Sequence, residues 1–130
     1  MAINSRTPIE IQDKTLGEEI VVGWTSDASG DATVSVPEVK GYLLQMVTVP
    51  TDGPTADYDV TLIAPQGSAL DVLGGVGADR HTTSTEAVAV YLTSAPTPPF
   101  LNGDYTLTIA NAGNTKSGVV TLIMNYGVAI

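Results

Sequence analysis

Apolar and polar residues alternate along most of this chain. Residues 9–12 (IEIQ) alternate, and residues 18–25 (EEIVVGWT) form an apolar, β-branched run closed by the loop SDASGD. Residues 32–36 (ATVSV) alternate and are expected to stop at Pro37, and residues 42–49 (YLLQMVTV) at Pro50. Residues 57–64 (DYDVTLIA) place Tyr58, Val60 and Leu62 on one face, residues 69–73 (ALDVL) read as a short strand, and residues 86–92 (EAVAVYL) precede the proline-rich TSAPTPP. Neighbouring side chains of a strand point to opposite faces, so each run has one face to bury. Short runs separated by Gly, Pro, Asn and Asp at ~8–12 residues predict a sandwich or barrel. No window of ~11 residues keeps helical spacing without an interrupting Gly or Pro; residues 37–46 come nearest, and Gly41 breaks them. The prediction is an all-β single domain over residues 1–130: an antiparallel β-sandwich or small barrel, jelly-roll-like, with residues 1–8 as a candidate extended N-terminal arm.

The last quarter carries the sharpest pattern. Tyr105, Leu107 and Ile109 share one face of a strand, and Val120, Leu122 and Met124 share one face of the next. These six are expected in the core, as the inner face of a terminal hairpin. A slip of one residue would put them all in water, which pins the register. The connection NAGNTKSG holds Asn111, Gly113, Asn114 and Gly118, residues that tolerate positive φ, and its length predicts a projecting tip. Asn111, Asn114 and Lys116 are therefore candidate contact residues, as are Pro98 and Pro99 in the stiff segment TSAPTPPFLNG. Ile123, on the second face, suggests that this face is covered too, by a partner or a neighbouring strand.

Composition narrows the function. Five basic residues face fourteen acidic ones, a net charge of −9, and Arg6, Lys14, Lys40, Arg80 and Lys116 are scattered. A nucleic-acid or anionic-membrane surface needs clustered Lys and Arg, so neither is an expected partner. Only 15% of residues are charged, against ~25% in an average domain. A surface of Thr, Ser, Gly, Ala and Pro sheds water cheaply and suits protein contact. There is no cysteine, which removes disulfides and thiolate metal sites and suits synthesis in a reducing cytosol. No apolar run follows a basic region within residues 1–14, so the chain reads as non-exported.

Each constellation that could carry chemistry has a plainer reading. His81 is the single histidine. Asp79 and Ser84 stand near it, yet no nucleophile elbow surrounds Ser84, and DRHTTSTE reads as a surface loop. With one histidine and no cysteine, metal sites would be all-oxygen. Asp27 with Asp31, and Asp52, Asp57 and Asp59, lack EF-hand spacing and sit where turns favour Asp. LGGVGADR (73–80) lacks the lysine and hydroxyl of a P-loop, so its glycines serve a bend. Glu18 and Glu19 must point to opposite faces of a strand. Trp24, Tyr42, Tyr58 and Tyr91 would be the platforms of a carbohydrate-binding surface if exposed. No catalytic residue, cofactor or metal is expected.

Two segments in order, DVLGGVGADRHTTSTEAVAVYL (71–92) and FLNGDYTLTIANAGNTKSGVVTLIMNYG (100–127), resemble small proteins of tailed-bacteriophage head-gene clusters. There a D-x-L-G-G-x-G-A-x-R segment precedes a Thr-rich strand, and G-x-x-T-L-T-x-x-N-A-G-N-x-K-x-G ends the domain. The likeness covers residues 56–127. It implies a structural, non-enzymatic virion component: a capsid decoration or cement protein that clamps neighbouring major capsid subunits on the outer shell. By that analogy the chain is made in the host cytoplasm and pairs with itself, as a homotrimer or, less favoured, a dimer. The alternative is a carbohydrate- or receptor-binding module of a head fibre or tail.

Overall fold

In the computed structural model, which describes residues 3–11, 14–54, 57–65, 70–90 and 98–127, the alternating runs become seven strands: β1 (Ser5–Ile11), β2 (Lys14–Thr25), β3 (Ala32–Asp52), β4 (Asp59–Ile63), β5 (Glu86–Ala89), β6 (Phe100–Ala110) and β7 (Ser117–Asn125). All pairings are antiparallel, in the order β1-β2-β7-β3-β6-β4, with β5 on a further stretch of β3. The fold is all-β, as expected, and the sheet does not close into a barrel. Residues 5–8, expected in an extended arm, are laddered along β2. Residues 71–73, expected in a strand, form turns apart from one bridge of Asp71 to Ile63. Gln12, Tyr91 and Pro96 lie outside the described residues.

The longest strand was expected as two. β3 runs through both Pro37 and Pro50 for 21 residues. Its burial alternates from Ala32 to Thr48 except at two exposed pairs, Pro37–Glu38 and Leu44–Gln45, each at a register shift, and a third shift lies between Pro50 and Asp52. A bulge adds a residue off the ladder, so a proline that cannot donate costs nothing there. Glu38 takes the left-handed backbone this needs, at φ 54°. Each bulge also resets the alternation, so Val34 and Val36, then Val39 and Leu43, then Met46 all face inward. The first half of β3 pairs with β6 and the second with β7, and that turns one strand into the shared spine of two sheet halves.

The terminal hairpin is the main correction. Tyr105, Leu107, Ile109, Val120, Leu122 and Met124 are all buried, but β6 and β7 do not pair; β3 lies between them. The connection 111–116 is therefore an arch from one sheet half to the other, and its tip does not project. Ala112 is fully buried and donates its amide to the Gly30 carbonyl at 2.9 Å. Ser26 Oγ donates to the Gly113 carbonyl at 2.6 Å and accepts from the Lys116 amide at 2.8 Å. Periodicity specifies which face of a strand is apolar, not which strand lies beside it.

Side chains close what the backbone leaves open. Trp24 of β2 meets Tyr58, just before β4, with ring centroids 5.3 Å apart, although β2 and β4 lie far apart in the strand order. The sheet must therefore curl so that its inner face packs on itself, and one apolar cluster takes in residues from both halves. Gly118 seats the indole: a Cβ there would lie 2.6 Å from Trp24 Cζ2. Among the described residues Trp24 Nε1, Thr48 Oγ1 and Tyr58 Oη are buried and find no hydrogen-bond partner. Burial pushes the Tyr58 hydroxyl pKa up, and nearby Thr48 pulls it partly back but does not meet hydrogen-bond geometry. A buried hydroxyl without a partner carries its desolvation cost uncompensated. Tyr58→Phe is thus expected to leave stability unchanged or raise it by up to ~1 kcal/mol in denaturant melts. A loss of about 1 kcal/mol or more would mean the hydroxyl is bonded.

Candidate functional site

The arginine of β1 builds one mouth of the sandwich. Arg6 lies opposite Ile20 in register, so its side chain points inward at the edge of the sheet. Glu18, two residues from Ile20 on the same face, is 7% exposed. Arg6 Nε donates to Glu18 Oε2 at 3.2 Å, and Arg6 Nη2 is ion-paired with Glu18 Oε1. The same guanidinium reaches the β3 bulge, donating to the Glu38 carbonyl at 3.0 Å and to the Pro37 carbonyl. Backbone groups off the ladder at a bulge need other partners: Arg6 serves the two carbonyls, and Asp104 Oδ1 accepts the Glu38 amide at 2.9 Å. Its hydrogen bond to the Glu18 carboxylate holds the guanidinium more firmly charged than usual. Burial, with the Glu18 carboxylate adding to it, raises the Tyr126 pKa.

A cleft of about 450 Å³ opens beside this clamp, lined by Arg6, Glu18, Glu38, Lys40, Gly41, Phe100 and Tyr126. Gly41 shapes it: its φ is +112°, and a Cβ there would lie 2.4 Å from the Asn125 carbonyl oxygen. On the outer side Tyr42 and Phe100 are register partners, with their rings edge-on at 5.1 Å. Phe100 is 60% exposed, with Leu44, Tyr42 and Tyr126 also open to solvent. The rim is thus an uncovered aromatic patch beside two carboxylates and two cations. Sequence reading singled out Tyr42 but missed Phe100, because FLNGDYTLTIA was taken as strand only from Tyr105 onward. Nothing local to β1 announces that Arg6 will meet residues 37 and 38.

The other expected contact residues are spread out. Asn111 and Asn114 are exposed, Lys116 and Pro98 half-buried. Pro99 is buried, against expectation, because its carbonyl accepts the Leu43 amide at 3.0 Å and draws the chain against β3. Trp24 and Tyr58 are core residues and offer no platform.

The residues considered for chemistry serve as structural joints. His81 Nδ1 accepts the amides of Thr83 and Ser84 at 3.1 and 3.0 Å, so it caps its own loop. Asp27 Oδ1 accepts the amides of Ser29 and Asp31 in a tight turn. Glu18 faces inward and Glu19 is exposed, as strand alternation requires. Among the described residues no three of His, Cys, Asp and Glu come together to hold a metal.

The glycine-rich segment covers an edge. Asp71 Oδ1 accepts the amides of Leu62 and Leu73, both at 3.0 Å, and Oδ2 accepts that of Gly75 at 3.3 Å. The segment then runs beside β4: the Val60 amide donates to the Gly77 carbonyl at 2.8 Å, and the Arg80 amide to the Tyr58 carbonyl at 2.7 Å. A Cβ at position 77 would lie 2.1 Å from the Val60 carbonyl oxygen, so that position requires glycine. Asp59 ties the arch to this segment, accepting from the Asp79 amide and from Asn111 Nδ2, both at 2.9 Å. A free strand edge invites pairing with other chains, and here the loop satisfies β4's outer backbone groups.

No protein-family model matches the chain, and no protein with a curated description matches it. Among solved structures it is similar to the crystal structure of Aeromonas hydrophila PliG, a periplasmic lysozyme inhibitor of g-type lysozyme, with a TM-score of 0.42 and 10% identity over 92% of this chain and 95% of that one.

Proposed function

We propose that this chain is a structural, non-enzymatic component of a phage virion, which decorates the outer capsid and clamps neighbouring major capsid subunits. The observation that carries this reading is the uncovered aromatic rim of Tyr42, Phe100 and Tyr126 with Leu44. Clustered exposed aromatics of this kind mark protein contact sites, where large rigid side chains supply most of the binding energy. The two segments that resemble head-gene proteins support the same reading. They form the cover of the β4 edge and the strands flanking β3, so the shared pattern describes the frame that presents the rim. On this reading the chain is made in the host cytoplasm and becomes part of the particle surface.

The test adds purified protein to expanded shells of the parent phage assembled without it, followed by sedimentation and heating. Binding and greater heat resistance are expected, and Phe100→Ala should weaken binding without lowering the protein's own melting temperature. No binding and no gain in shell stability would overturn the reading. A second reading, a receptor- or carbohydrate-binding module of a fibre or tail, draws on the position of the Tyr42–Phe100 pair beside Glu38 and Lys40. Copy number separates the two, because a cement protein occurs far more often per particle than a fibre.

A further inference from the structure

The sheet has two outward faces of different chemistry. Across β3's first half, β6 and β4 the rows are hydroxyls, with Thr33, Thr108 and Thr61 side by side. Across β2, β7, β3's second half and β5 the central rows are mainly apolar, with Glu19, Gln45, Thr25 and Ser117 towards the ends. Val21, Thr121, Val47 and Ala87 form one row, and Val119 and Val49 stand in another. The residues between them, Val22, Val120 and Thr48, are buried in the core, so the valine rows point away from it. No described strand lies over them. Hydroxyls lose little by staying in water, whereas β-branched apolar side chains gain by leaving it.

We infer that this valine face is where two copies of the chain pair, sheet against sheet. Charge selects both face and partner. Each copy carries a net charge of −9, so copies repel wherever carboxylates meet. Among the paired positions of this face only Glu19 and Asp52 are charged, and both stand towards its ends. Size fits as well. Nine residues of β2 are laddered to β7. At ~3.3 Å per residue and ~4.8 Å between four strands, the face spans on the order of 600 Å². Two such faces bury about 1,200 Å² in total, the lower end for a specific, stable interface. A face that covers itself is isologous and closes at two copies, so it argues for a dimer over the trimer that the family analogy favours.

Sedimentation velocity at tens of micromolar, at low and high salt, tests this. The wild-type protein is expected to be a dimer, tighter at high salt as repulsion is screened. Val47→Glu and, independently, Thr121→Lys each put a charge in the dry centre and should weaken dimerisation about tenfold or more, with melting temperatures near wild type. Thr33→Glu on the hydroxyl face should change nothing. A wild-type monomer at both salts would overturn the inference, as would unchanged dissociation constants in both Val47→Glu and Thr121→Lys, or equal weakening by Thr33→Glu. Shell binding is read separately. A monomer that still decorates shells removes this inference alone, and a dimer that binds no shell removes the decoration reading alone.

Discussion

Leu122→Ala is expected to lower the unfolding free energy by ~2–5 kcal/mol, the range for truncating a fully buried leucine. Leu122 has no exposure. It stands midway along β7, between Ile20 of β2 and Met46 of β3 in register, and both of those are fully buried as well. The strands on either side are themselves laddered, so they cannot close in on the space left behind. The loss therefore includes a cavity as well as the transfer of the missing carbons. Denaturant melts check this, with an unchanged m-value expected. A loss below about 0.5 kcal/mol would mean that this face of β7 is not the core face.

Asp71→Ala is expected to cost about 2–4 kcal/mol, because one carboxylate satisfies three backbone amides and hydrogen bonds to a charged acceptor are the stronger kind. The Leu62 amide belongs to β4, whereas those of Leu73 and Gly75 belong to the covering segment. Losing the carboxylate should therefore detach the cover as well as lower stability. Hydrogen exchange is the informative readout: the amides of Val60, Val72 and Arg80, which bond across this seam, should lose protection ahead of those of β7. Asp71→Asn keeps an acceptor oxygen and should fall between the two. If Asp71→Ala melts like wild type and those amides stay protected, the segment is held by something other than Asp71.

The fold class was legible because it needs only local information. Alternation at Tyr105, Leu107, Ile109, Val120, Leu122 and Met124 marks the buried face whichever strand lies next door. The same six residues misled about topology, since two adjacent alternating runs with a turn-rich link fit a hairpin and an arch equally well. What separates them is distant: Ser26 and Gly30 bind the link down, and β3 takes the place between the strands. Pro37 and Pro50 were read as strand ends, because a proline removes a donor; a bulge makes that loss harmless at Pro37, and no local pattern announces a bulge.

The candidate site was less legible still. Tyr42 could be named as a platform, but Trp24 and Tyr58 carried the same apparent promise and are buried against each other. By itself, the sequence determined that the chain is all-β and antiparallel, which face of its last two strands is buried, and that its charge is acidic and dispersed. Those properties follow from side-chain period and composition, which are additive along the chain. The tertiary structure alone decided that β3 runs through both sheet halves and that Arg6 clamps the bulge at residues 37 and 38. It also decided that the DVLGGVGADR segment covers β4, and that one outer face is richer in valine at its centre and the other in threonine. Each of these joins residues far apart in the chain, and their meeting depends on register and on the curl of the sheet, which no local pattern encodes.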